Sequence, residues 1–107
     1  MEIQGKSYEP EPRFYIMKSR AHVKFMGRVQ GVFFRANTLE KARESGLFGW
    51  VRNLRDGSVE AVFEGEEESI KNVIEWCGKR QPHARVDDIE VRWGKPTDEF
   101  DDFEIRH

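Results

Sequence analysis

Apolar and polar positions fall into regular patterns from Arg20 onward. Ala21, Val23 and Phe25 alternate with His22, Lys24 and Met26, the period-2 signature of a half-buried strand. Gly27 to Phe33 has no helical period and reads as a loop. From Phe34 to Ser45 helix formers dominate, with Leu39 and Ala42 spaced for one buried face. Gly46 ends that helix, since glycine adopts the left-handed conformation without steric cost. "LFGWVRNL" predicts a second strand, and the Asp-Gly pair of "RDG" a tight hairpin turn. In "SVEAVFEG", Val59, Ala61 and Phe63 face one way and Glu60, Val62 and Glu64 the other, so these two strands pair antiparallel. "EEESIKNVIEWCGKR" carries Ile70, Val73, Ile74 and Cys77 at i, i+3, i+4 and i+7, a single apolar stripe. Its acidic start (Glu66, Glu67, Glu68) and basic end (Lys79, Arg80) both suit the helix dipole. "ARVDDIEVRWG" predicts a strand with Val86, Ile89, Val91 and Trp93, and "DFEIRH" a short edge strand.

The order β-α-β-β-α-β plus a short C-terminal strand predicts an α+β fold, the ferredoxin-like split βαβ sandwich: an antiparallel sheet with two helices on one face. That architecture hosts many unrelated functions, so it assigns none by itself. Residues 1–18 stand apart. Their "EPEP" disfavours helix and central strand, and no periodicity carries them into a core. They read as a flexible N-terminal extension, with residues 19–107 as the folded domain.

Composition narrows the class. The chain has 107 residues and a formal net charge of −2, without the basic footprint of a nucleic-acid binder. One cysteine, Cys77, excludes an intrachain disulfide and suits a reducing compartment. The sequence has neither a long apolar run nor a signal-peptide pattern. The expectation is a cytoplasmic monomer with no membrane partner and no nucleic-acid partner.

Candidate chemistry concentrates in "GRVQGVFFR", Gly27 to Arg35. It joins the first strand to the first helix, where unpaired N–H groups and the positive dipole end favour an anion. Gly27 and Gly31 permit the backbone geometry of an anion nest. Arg35 offers a planar guanidinium suited to bidentate phosphate binding. The loop lacks the G-K-[ST] ending of a magnesium-nucleotide site. Asn53, just before the hairpin turn, is either a turn former or a neutral amide that can hold a water beside a phosphoryl group. His22, His83 and His107 show no metal-ligand spacing and read as structural or solvent residues. Cys77 and the strand tryptophans Trp50 and Trp93 read as packing.

The two stretches "GRVQGVFFR" and "GLFGWVRNLRDGSVEAVFEG", with Ala42 between them, resemble the acylphosphatase family, through Arg35, Ala42, Gly46, Leu47, Gly49, Trp50, Val51, Asn53, Asp56, Gly57, Val59 and Glu60. The resemblance runs from about Arg20 to the C-terminus. It implies hydrolysis of acyl phosphates to carboxylate and inorganic phosphate, with no metal and no cofactor. It implies Arg35 and Asn53 as the catalytic residues, and the backbone amides of Arg28, Val29, Gln30, Gly31, Val32 and Phe33 as the phosphate cradle. The alternative from the residues is a ferredoxin-like RNA-binding module. Its third strand needs an exposed aromatic motif, whereas "SVEAVFEG" is acidic.

Overall fold

In the computed structural model, which describes residues 17–107, the first alternating stretch is strand β1 (Lys18–Arg28). Its inward residues Ala21, Val23 and Phe25 are fully buried. Helix α1 (Phe34–Glu44) follows, then the hairpin of β2 (Phe48–Asn53) and β3 (Val59–Glu66), helix α2 (Glu67–Lys79), β4 (Arg85–Gly94) and β5 (Phe103–Ile105). Among the described residues the strands form one sheet in the order β4-β1-β3-β2-β5. The reading of residues 1–18 as an extension lies, up to residue 16, outside the described residues.

Three strand pairs are antiparallel, but β5 runs parallel to β2, with Gly49 opposite Phe103 and Val51 opposite Ile105. The sheet is therefore mixed, which corrects the expected antiparallel one. The register gives the reason. β4 ends at Gly94, opposite Arg20, at the same end of the sheet where β2 begins opposite Glu64. The connection over residues 95–102 crosses that end without returning, so β5 must run opposite to β4, and that is the direction of β2.

Buried Glu64 holds this crossover. Its carboxylate accepts hydrogen bonds from Arg20 (2.6 Å), the Thr97 amide (2.9 Å), the Thr97 hydroxyl (3.0 Å) and the Asp98 amide (3.1 Å). Burial pushes its pKa up, but these bonds more than offset it and leave the group below the usual carboxylate range. Phe103, fully buried and stacked on Phe63 at 5.4 Å between centroids, contributes about 1.5–3 kcal/mol. That contact fastens a strand of only three residues.

Both helices pack on one face. The α2 stripe Ile70, Val73, Ile74 and Cys77 is buried as its period required. The buried stripe of α1 is Phe34, Thr38 and Ala42, with Leu39 only partly covered. Thr38 is tolerated inside because its hydroxyl accepts a 2.7 Å bond from the Gln81 side chain. Trp93, read from sequence as packing, is instead exposed together with Val91, because both lie on an edge strand. Gly27 sits at a register shift between β1 and β4, with φ 132°, and an added Cβ there would lie 2.3 Å from the Arg85 carbonyl oxygen. Glycine is thus required for the bulge that turns the chain out of β1. Among the described residues no helix is long and apolar enough to cross a membrane.

Candidate active site

The loop between β1 and α1 is pinned by two valines. Val29 and Val32 are buried in the core, so the backbone between and after them is turned outward. Gly31 takes φ 75° and Phe33 φ 61°. A left-handed phenylalanine is strained by roughly 1–3 kcal/mol, and such strain clusters at functional sites. Phe33 also occupies the N-cap position of α1 without any side-chain cap, its carbonyl accepting from Asn37 N–H at 3.0 Å. The amides of Phe34, Arg35 and Ala36 therefore have no partner within the helix. Together with the left-handed turns they form a ready-made anion-binding concavity.

Two glutamines hold this loop. Gln30 Nε2 donates to the carbonyls of Leu54 and Ser58, both at 2.8 Å. Gln81, buried beyond the end of α2, donates from Nε2 to the Phe34 carbonyl (3.2 Å) as well as to Thr38. The first bond set ties the loop to the β2–β3 hairpin, and the second fixes the first turn of α1. The hairpin turn is itself closed by Asp56, which accepts from the Ser58 amide at 3.0 Å and pairs with Lys24 at 3.0 Å. The Ser58 bonds, foremost its hydroxyl, hold the Asp56 carboxyl well below the usual range, and Lys24 adds to the effect.

Asn53 is the last residue of β2 and pairs with Val59. Its Oδ1 is buried and accepts no hydrogen bond among the described residues. A buried carbonyl without a donor is costly, and the residue that carries it lines a cleft of about 370 Å³. The other walls are Val29, Gly31, Phe33, Phe34 and Arg35 from the loop and helix start, with Ala36, Ile105 and His107 beside them. Among the described residues no Asp or Glu side chain lines this cleft, so no acidic side chain there opposes the loop amides, helix dipole and guanidinium. Among the described residues no group of three His, Cys, Asp or Glu side chains is arranged to hold a metal ion.

Of the residues expected from sequence, the cleft brings together Val29, Gly31, Phe33, Arg35 and Asn53. Arg28 stays in the β1–β4 ladder opposite Arg85, the Val32 side chain points into the core, and the Gln30 side chain is committed to the hairpin. Three features escaped the sequence reading. Ile105 and His107 reach the cleft only because β5 lies beside β2. His107, read from sequence as a structural or solvent residue, lines the cleft. The Gln30 clamp could have been suspected only from a polar residue set between two apolar anchors.

The sequence model of the Acylphosphatase family matches residues 21–105. An acylphosphatase from Roseiflexus sp. (strain RS-1) is 55% identical over 87 residues, covering 81% of this chain and 94% of that protein. The crystal structure of an acylphosphatase from Bacillus subtilis superposes with TM-score 0.80 at 32% identity, covering 83% of this chain and 99% of that one. An acylphosphatase structure from Coxiella burnetii gives TM-score 0.77 at 39% identity, covering 83% and 93%. The RNA-binding alternative finds no support in these matches.

Proposed function

The chain belongs to the acylphosphatase family, enzymes that hydrolyse acyl phosphates to carboxylate and inorganic phosphate, and from that premise we propose how its residues divide the work. Arg35 and the amides of Arg28 to Phe33 bind the phosphoryl group, and Asn53 holds the attacking water. The observation that carries this reading is the orphaned Oδ1 of Asn53, on a residue that lines the same cleft as Arg35 and the left-handed loop.

The chemistry follows from the charges. The substrate R–CO–O–PO₃²⁻ has a carboxylate leaving group of low basicity, so little covalent assistance is needed. Catalysis then rests on positioning and electrostatic stabilisation. Arg35 and the amides neutralise the equatorial oxygens as charge spreads over them. Asn53 Oδ1 accepts a hydrogen bond from the water and aims its oxygen at phosphorus. The water O–P bond forms as the P–O bond to the acyl group breaks. One water proton passes to a non-bridging phosphoryl oxygen and the other stays on the attacking oxygen, so carboxylate and dihydrogen phosphate leave. An asparagine suits this position because a carboxylate would repel the phosphate.

We place the enzyme in the cytoplasm as a monomer that uses neither metal nor nucleic acid. Near-neutral charge and a single buried cysteine support that placement. The test is hydrolysis of benzoyl phosphate with a chelator present, followed across pH. Full activity with chelator is expected, with no enzyme base titrating between about pH 5 and 8. A rate that rises through the histidine range and flattens in His107→Ala would move the proton from the substrate to that imidazole. Activity abolished by chelator would overturn the metal-free reaction.

A further inference from the structure

Cradle and water holder sit on different elements, and their separation decides whether attack is in line. The phosphate side is a loop after β1, and Asn53 closes β2. Backbone pairing between β1 and β2 cannot set that distance, because β3 lies between them.

The Gln30 side chain bridges the gap directly. Its Nε2 spends both hydrogens on the carbonyls of Leu54 and Ser58, each at 2.8 Å. Leu54 follows Asn53, and Ser58 precedes Val59, the cross-strand partner of Asn53. The clamp therefore grips both arms of the hairpin one residue beyond the Asn53–Val59 pair. The same two carbonyls also close the turn, accepting from Leu54 N–H at 2.9 Å and Gly57 N–H at 3.2 Å. On its own side Gln30 lies between Val29 and Gly31, both of which line the cleft. Its backbone thus lies within the proposed cradle while its amide holds the hairpin.

We infer that Gln30 is a positioning residue for hydrolysis: it sets the spacing between the bound phosphoryl group and the water on Asn53. The inference rests on the water-holding reading of Asn53. The chemistry of the side chain is specific. Only a primary amide presents two hydrogens to two carbonyls without adding charge beside the phosphate. Glutamate would set oxygens against both carbonyls, and methionine matches the length but donates nothing.

A displacement of about 1 Å in such a site costs roughly 100-fold in rate. Gln30→Met is therefore expected to lower kcat on benzoyl phosphate by about 10- to 100-fold. The competitive inhibition constant of inorganic phosphate should stay within about threefold, because Arg35 and the amides remain. A double-mutant cycle with Asn53→Ala separates positioning from mere support of the fold. Once Asn53 is gone there is no held water to misplace, so adding Gln30→Met should lower kcat by less than about threefold. Losses that multiply, or phosphate binding that weakens in step with kcat, would overturn the inference. If Asn53→Ala alone left kcat intact, the water-holding reading would fail first, and this one with it. If Gln30→Met does not fold, Gln30→Asn keeps the amide but is shorter by about 1.5 Å. The same split and the same cycle are then expected from it.

Discussion

Glu64→Gln isolates what holds the crossover, and its magnitude follows from the bonds. In the native protein three donors (Arg20, the Thr97 amide and its hydroxyl) meet Oε2, and the Asp98 amide meets Oε1. Glutamine can keep its oxygen toward the first three, but its NH₂ then faces the Asp98 N–H. One bond is lost, leaving a poorly paired donor, at about 1–3 kcal/mol, the two Thr97 bonds lose their charge assistance, and Arg20 loses its counter-charge. The sum is about 2–4 kcal/mol, a large share of the 5–15 kcal/mol typical of a domain. Thermal unfolding at pH 7 should therefore show Tm lowered by roughly 10–25 °C.

The pH dependence has a fixed sign. Because the folded pKa of Glu64 lies below its ordinary value, the stabilisation is complete above the ordinary pKa, about 4.3. It is lost as pH falls through the lower folded value. The gap in Tm between wild type and Glu64→Gln should accordingly close toward pH 3. Turnover by the folded variant should stay within about twofold. The register explains why: Glu64 pairs with Phe48 at the start of β2, whereas Val59 pairs with Asn53 at its end, about 16 Å along the strand. A Tm gap that does not change between pH 7 and pH 3, or one under about 3 °C, would refute the reasoning.

Gly31→Ala should cost about 1–2 kcal/mol from the left-handed backbone alone, since an added Cβ meets nothing within 4 Å. Gly31→Asn should recover part of it, and equal urea midpoints for wild type and Gly31→Ala would contradict the account. Cys77 is buried against Thr38 and Gln81, and burial pushes its thiol pKa up. Iodoacetamide at pH 8 should modify it only after unfolding, and rapid alkylation of the folded protein would contradict that burial.

The sequence made the site legible where local rules and a long motif agreed. From residue type and position alone Gly31, Arg35 and Asn53 admitted a plain turn as well as a phosphate site; the family resemblance singled them out, and the structure sets all three along one cleft. The direction of β5 was not legible. It depends on which end of the sheet the 95–102 connection crosses, and the bonds from Thr97 and Asp98 to Glu64 decide that. His107 escaped for the same reason, since it reaches the cleft only through the strand that β2 accepts at its edge. Thr38 in the core and Trp93 on the surface show the limit of hydropathy alone. Gln81 makes the one tolerable inside, and an edge strand leaves the other outside.

The central claim is the division of labour between Arg35 and Asn53. Progress curves for benzoyl phosphate at several concentrations of inorganic phosphate give kcat and the phosphate inhibition constant together, and Asn53→Ala is the decisive variant. Its kcat should fall by about 10²–10³, while phosphate inhibition stays within about threefold of wild type and is lost in Arg35→Ala. An Asn53→Ala enzyme that keeps its turnover, or that loses phosphate binding in parallel with it, would contradict the account.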